Sequence, residues 1–360
     1  MQKSTKILVC PLDWGLGHAS RDIPIICKLL DAGFDVIIAA CGDTVNFLKL
    51  EFPELVVINL PGYKIRYSKR NFQIIKMLAL IPKIISHTYK EHYLLKEIIE
   101  KYAIDIVIAD NRFGLWNNRT YNIFITHQLK VKFPGFLRLL EPIYKGISGF
   151  FIRRFDECWI PDYMSENNLS GELSHSKIKL DNCYYIGPLS RFMKDAKNEV
   201  NEDIDILFVL SGPEPQRSIF ENKIIDQVND KGLKIILVRG TTKKINKMPK
   251  IVVLDVANTK ILSDLLVRAK MVICRSGYTS IMDLYLLKKK TVLVPTPGQT
   301  EQEYLAQYLS QKNIFYSITQ KEFTLDMATQ NVFNFPEISK EKNEVLEQRI
   351  INLKKKYCSS

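Results

Sequence analysis

The chain has 360 residues, 46% of them hydrophobic and 25% charged, with a net charge of +12. This is the composition of a folded globular protein rather than a disordered one, and at this length two domains of roughly 150 to 180 residues each are expected. The seven cysteines, Cys10, Cys27, Cys41, Cys158, Cys183, Cys274 and Cys358, are scattered and never spaced C-x-x-C, which argues against a zinc knuckle and a disulfide framework and for a reducing, cytoplasmic setting.

From the amino terminus, "MQKSTKILVC" runs straight into a strand without the apolar stretch and cleavage site of a signal peptide. Further strands are expected at "DVIIAA", "LVVINL", "IDIVIAD", "NIFITH" and "ECWIPD". The second half repeats the rhythm with "IDILFVLS", "LKIILVRG", "IVVLDV", "MVICRS", "TVLVPT" and "NIFYSI". Unbroken Ile, Val and Leu runs separated by helical patterns predict strands buried on both faces, hence parallel sheets. The fold class is α/β, with two doubly wound domains. A Gly-Pro pair followed by a charged stretch in "YYIGPLSRFMKDAKNEVNED" reads as the linker. The domains are then 1–188 and 189–336, and 337–360 forms a charged helix expected to dock on the outside.

Nearly all the excess charge lies between residues 64 and 154, with 17 Lys or Arg against 6 Asp or Glu. Within it, "KIRYSKRNFQIIKMLALIPKIISHTYK" and "LKVKFPGFLRLLEPIYKGISGFFIRRF" interleave cations with Leu, Ile, Phe and Tyr. That mixture suits an anionic membrane surface, and it equally suits a helical face packed on a sheet with solvated lysines. The apolar stretch "FQIIKMLALIPKIIS" is too short and too interrupted to span a bilayer, and no motif supports nucleic acid.

The unusual residues collect at the carboxyl ends of the expected strands, the edge where open α/β sheets bind ligands. After the first strand, "GLGHASRD" lacks the third glycine of a dinucleotide fingerprint, since Ser20 stands there. Gly15 and Gly17 instead let backbone approach a ligand, and a helix N-terminus at His18 favours a neutral ring able to take a proton. "ADNRFG" carries Asp110 and Arg112, which either shape an acceptor pocket or form a salt-bridged loop.

In the second half, "CRSGYTSIMDLYLL" presents Ser276 and Gly277 at a helix N-terminus suited to a diphosphate, with Asp283 in reach of ribose hydroxyls. "LVPTPGQTEQEYLA" then places Gln302 and Glu303 at a helix start, where they suit sugar hydroxyls, although capping also accounts for such residues. The only Asp-x-Asp, "DID" at 203–205, precedes its strand and so lies at the wrong edge for a metal on a diphosphate.

This pair of motifs resembles the nucleotide-sugar half of the GT-B glycosyltransferases. It is most similar to the family that includes MurG and the monogalactosyldiacylglycerol synthases, with a glycosyltransferase family 28 C-terminal domain. The resemblance implies two Rossmann-like domains with a cleft between them. It also implies a UDP-sugar donor, such as UDP-N-acetylglucosamine or a UDP-hexose, and a sugar or lipid-linked acceptor hydroxyl. By the same resemblance Gly17 and His18 lie on the acceptor side at the reaction centre, with His18 as base. His127 in "ITHQ" matches a family histidine, with Gln128 replacing a glutamate, and Arg191 in "IGPLSR" becomes a phosphate ligand. Ser211 and Gly212 are what remains of a glycine-rich loop, and Asp283 is a shorter stand-in for a glutamate on the ribose. Gln299, Gln302 and Glu303 would read the sugar, while Arg191, the helix N-termini and Arg275 meet the diphosphate. No metal and no other cofactor is expected. The implied enzyme is an inverting hexosyltransferase of the cytoplasm, peripheral on the inner face of the membrane. A nucleotide-sugar epimerase or hydrolase, or a non-catalytic UDP-sugar-binding subunit, shares the same fold.

Overall fold

The computed structural model describes residues 4–62, 73–133, 135–175, 180–192, 201–228, 232–242 and 250–358, without the side chains of 73–85, 136, 137, 140 and 358. The basic stretch at 64–72 therefore lies outside the described residues. Two compact units emerge, one of Met1–Leu189 with Glu341–Ser360 and one of Ser190–Lys340.

The first unit is built on seven strands: β1 Lys6–Cys10, β2 Asp35–Ala40, β3 Val56–Asn59, β4 Ile106–Asp110, β5 Tyr121–Ile125, β6 Glu157–Ile160 and β7 Cys183–Tyr185. They form one parallel sheet in the order β3-β2-β1-β4-β5-β6-β7. The chain leaves β1 for β2 on one side and returns to β4 on the other, so the topological switch point lies between β1 and β4. β1 and β4 are almost wholly buried because their aliphatic side chains meet helices on both faces. The strands expected from the apolar runs are present. β7 is an additional edge strand of three half-buried residues, "CYY", too short and too polar in context to stand out. The step from β4 to β5 is made by residues 111–120 without a helix.

The second unit carries β8 Ile204–Val209, β9 Ile235–Val238, β10 Val252–Leu254, β11 Ala269–Cys274, β12 Lys290–Leu293 and β13 Tyr316–Ser317. Its parallel sheet runs β10-β9-β8-β11-β12-β13, with the switch point between β8 and β11. One face is closed by Phe208, Phe220, Ile224, Ile273, Val292 and Phe323.

The carboxy-terminal helix differs from its expected place as a separate outer segment. Val345–Cys358 belongs to the first unit, not to the second that precedes it in sequence. Leu346, Ile350 and Leu353 recur at helical spacing and are buried, a stripe that the surrounding lysines obscure in the sequence. Arg349 donates its Nε to Glu157 Oε2 at 3.0 Å, and the Thr5 hydroxyl donates to the Tyr357 carbonyl at 3.1 Å.

Candidate active site

In the first unit the chemistry gathers at the switch point. The helix Leu16–Asp31 starts directly after the β1 loop, with Gly15 at its N-cap in a positive-φ conformation (φ 112) that disfavours any side chain. Gly17 and His18 occupy its first turn, which aims the His18 ring at the end of β4. There the His18 Nδ1 lies 3.0 Å from Asp110 Oδ2, and Asp110 is fully buried. Arg21, one turn beyond His18, donates Nε to the same Oδ2 at 2.8 Å and pairs through Nη2 with Oδ1. Its Nη1 reaches His127 Nδ1, beyond β5, at 2.9 Å. His18, Asp110 and His127 are thus brought together, although 109 positions separate the first from the last.

Arg21 is a member of this group that residue-by-residue reading missed, although it stands three positions after His18 on the same helical face. Burial opposes ionisation of Asp110, but the charge of Arg21 and the hydrogen bonds from His18 and Arg21 outweigh it and hold the carboxyl well below the ordinary range. Asp22 is the counterpart. It is fully buried with no hydrogen-bond donor on either oxygen, and burial, followed by the charge of Asp110, pushes its pKa well up. The two carboxyls are thus pushed in opposite directions, Asp110 toward the ionised form and Asp22 toward the protonated one.

Arg112 follows the second of its two readings. It is buried, donates Nε to Glu91 Oε1 at 2.9 Å and Nη2 to the Pro61 carbonyl at 3.2 Å, and so ties its loop to the helix Gln73–Tyr102.

In the second unit Ser211, Gly212, Ser276 and Gly277 follow β8 and β11 at the switch point, Gln299, Gln302 and Glu303 follow β12, and Arg191 precedes β8. Ser211 and Gly212 follow β8 and are exposed, and Gly212 has a positive φ of 97°. A Cβ on Gly212 would lie 3.6 Å from the Thr296 hydroxyl, which is buried and has no hydrogen-bond partner. Thr296 is the polar group of "PTP" that the sequence reading passed over.

Gly277 caps the helix Tyr278–Leu286. Ser276 is fully buried, and its hydroxyl donates to the Gln302 carbonyl at 2.8 Å. Gln299 is the N-cap residue of the helix Thr300–Gln311 without a side-chain cap of its own. Gln302 Oε1 accepts from the Thr296 N–H at 2.9 Å and Glu303 Oε1 from the Gly298 N–H at 2.8 Å, so both side chains brace the proline-rich loop.

Arg275 departs from the diphosphate role expected of it. Only 1% exposed, it donates to the carbonyls of Val294, Pro295 and Gln216 and to Gln320 Oε1, and its guanidinium lies 4.5 Å from the Phe220 ring centre. Burial lowers its pKa to about 10. The physical reason is geometric: the side chain turns under the β12 loop instead of out of it.

Arg191 lies close enough to Asp283 for its charge to act on the carboxyl. Asp283 is buried, its Oδ1 has no hydrogen-bond partner, and burial pushes its pKa up to about 7 against the opposing effects of Arg191 and the Ser190 hydroxyl. Asp203 and Asp205 stand at the opposite edge of the sheet, Asp203 paired with Arg268 and Lys234 and Asp205 with Lys270.

Two doubly wound Rossmann-like sheets with polar loops at their switch points are the architecture of the GT-B fold. The chain is similar along 99% of its length to the glycotransferase of kitacinnamycin, at 14% identity and a TM-score of 0.62, covering 96% of that protein. It is likewise similar along 98% of its length to MurG of Acinetobacter baumannii, at 10% identity and a TM-score of 0.57, covering all of it. An uncharacterized glycosyltransferase of Methanopyrus kandleri is 22% identical over 335 residues, which is 86% of this chain and 88% of that one. Residues 208–356 match the glycosyltransferase family 28 C-terminal domain.

Proposed function

We propose that the protein transfers a sugar from a UDP-sugar to an acceptor hydroxyl with inversion, using His18 as general base. The observation that carries this reading is the His18–Asp110 pair at the first unit's switch point. A carboxylate held ionised at Nδ1 requires the ring proton there and leaves the Nε2 lone pair to take the acceptor proton. As Nε2 removes that proton, the acceptor oxygen bonds to the anomeric carbon and the carbon–oxygen bond to the diphosphate breaks. A single displacement of this kind inverts the anomeric centre.

On the donor side, Asp283 accepts from the ribose hydroxyls, and the backbone N–H groups at Ser211, Gly212 and Gly277 meet the diphosphate, helped by Arg191. Gln299, Gln302 and Glu303 read the sugar, the last two while bracing their own loop. Protein groups supply all the positive character in this scheme, so no metal is required.

The acceptor we favour is lipid-linked. On the helix Glu141–Ile152 and the turn before it, Leu139, Ile143, Ile147 and Phe150 are all more than half exposed at helical spacing. Arg153 and Arg154 follow directly, which makes an apolar stripe with cations at its end. No described helix is long and apolar enough to cross a membrane, so this surface would dock rather than insert as a span. Flotation with vesicles containing anionic lipid should carry the wild-type protein upward, and the variant Ile143→Ser, Ile147→Ser should stay below. Equal behaviour of the two removes the docking surface.

The decisive experiment for the activity is calorimetric titration with UDP, without metal and with NAD as comparison. UDP should bind, NAD should not, and Asp283→Ala should weaken UDP by about 10- to 100-fold, the worth of a charge-assisted hydrogen bond. NAD binding without UDP binding would overturn the reading. With a UDP-sugar bound, UDP release only when an acceptor is supplied distinguishes transfer from epimerisation or hydrolysis.

A further inference from the structure

We propose that Arg21 is a positioning residue that sets the tautomers of two histidines at once, holding His18 as the Nδ1–H form through Asp110 and His127 as the Nε2–H form by direct contact. The proposal rests on the reading of His18 as the base and adds the group that makes it one.

A guanidinium has five N–H donors, accepts nothing and stays charged inside a protein. Its Nη1 lies 2.9 Å from His127 Nδ1, so that nitrogen must offer a lone pair and the ring proton must be on Nε2. A protonated His127 would set N–H against N–H at this contact. The other two nitrogens of the fork, Nε and Nη2, engage both oxygens of Asp110, which pins the carboxylate plane and leaves Oδ2 to accept from His18 as well. The two histidines therefore carry their protons on opposite nitrogens: His18 presents a lone pair at Nε2, and His127 presents a donor there.

Asp22 shows what Arg21 prevents. Asp22 and Asp110 are both fully buried and close enough for the charge of one to act on the other, and two such carboxyl groups without a cation between them share one proton. Arg21 resolves that competition in favour of an ionised Asp110 and leaves Asp22, which has no donor on either oxygen, as the neutral acid. Were the proton free to move to Asp110, that carboxyl could donate to His18 Nδ1, and the ring would turn into the Nε2–H form that cannot act as base. The spacing in "GHASRD" is what allows this, since Arg21 and Asp22 follow His18 by three and four positions and so share its helical face.

The test is nitrogen NMR of the full-length chain labelled with ¹⁵N only in its five histidines, with His18→Gln and His127→Gln used to assign the two resonance sets. Long-range couplings to the ring protons identify each neutral tautomer directly. In the wild-type protein His18 should be Nδ1–H and His127 Nε2–H. In Arg21→Lys, which keeps a charge beside Asp110 but loses the fork, His127 should become a tautomer mixture while His18 stays Nδ1–H. In Arg21→Met both should become mixtures, with the signals of His87, His92 and His175 unmoved as the check on folding. Identical tautomers for His18 and His127 in the wild type would overturn the proposal without any variant, and so would unchanged tautomers in a folded Arg21→Met. A tautomer switch that leaves sugar transfer at full rate would uphold the positioning role and sink His18 as base, so the two failures are distinguishable.

Discussion

The two units place their polar loops at the same topological position and use them in opposite ways. In the first unit the motif residues converge on one another: buried Arg21, Asp110 and His127 meet the part-exposed His18 in a constellation whose purpose is not structural economy, because an apolar cluster would be simpler to bury there. In the second unit most motif residues turn back onto their own loops. Arg275, Ser276, Gln302 and Glu303 spend hydrogen bonds on backbone, while Asp283 Oδ1 and the Thr296 hydroxyl are buried without a hydrogen-bond partner among the described residues. On the proposed reading the contrast has a physical reason: proton transfer calls for charge held at one point, whereas holding a nucleotide calls for rigid backbone with few side chains uncommitted.

This contrast can be broken most severely at His18. His18→Ala should lower kcat by about 10²- to 10⁴-fold, the range of a general base, with UDP affinity unchanged by calorimetry. A large loss of UDP binding would instead make "GLGH" a nucleotide loop and erase the division of labour between the units.

The next effect concerns Asp283, whose pKa stands at about 7 in the folded protein against about 3.9 in an unfolded chain. The native state then binds more protons than the unfolded state across that interval. Stability from this group is complete below about pH 4 and is lost as pH rises to about 7. Asp283→Asn, which mimics the neutral form, should therefore exceed the wild type in stability at pH 8 by up to about 4 kcal/mol. Denaturant titrations at pH 4.5 and pH 8 should show that gap shrinking toward low pH. A constant gap would mean that Asp283 is ionised in the folded protein.

Smaller again is the effect of Arg275→Met, which removes donors from three carbonyls and Gln320. It should cost about 2–3 kcal/mol in thermal or denaturant unfolding. Its expected signature is lost stability with UDP affinity retained once the protein is folded, and a selective loss of UDP binding would return Arg275 to the diphosphate.

Much of this protein can be read without its structure because both sheets are parallel. Strands buried on both faces must be continuous aliphatic runs, and "KILVC", "IDIVIAD" and "MVICRS" are visible as such. What escaped was the edge. β7 is half-buried and three residues long, and the apolar stripe of the last helix is masked by the lysines around it. The loops at strand ends were likewise legible, since strand order and the switch-point rule place "GLGH", "ADNRFG" and "ITHQ" on one edge of one sheet.

Sequence alone determined which residues stand at those edges, through the period of the apolar runs and the glycines that break them. Only the tertiary structure decided which way each polar side chain turns. Arg21 meets Asp110 and His127, 89 and 106 positions away, because β4 and β5 are laid beside β1. Arg275 folds under its own loop because carbonyls of three separate segments converge there. Local pattern is encoded by neighbours along the chain, but hydrogen-bond partners are set by a global arrangement in which a side chain with several donors goes wherever buried acceptors would otherwise stay unpaired.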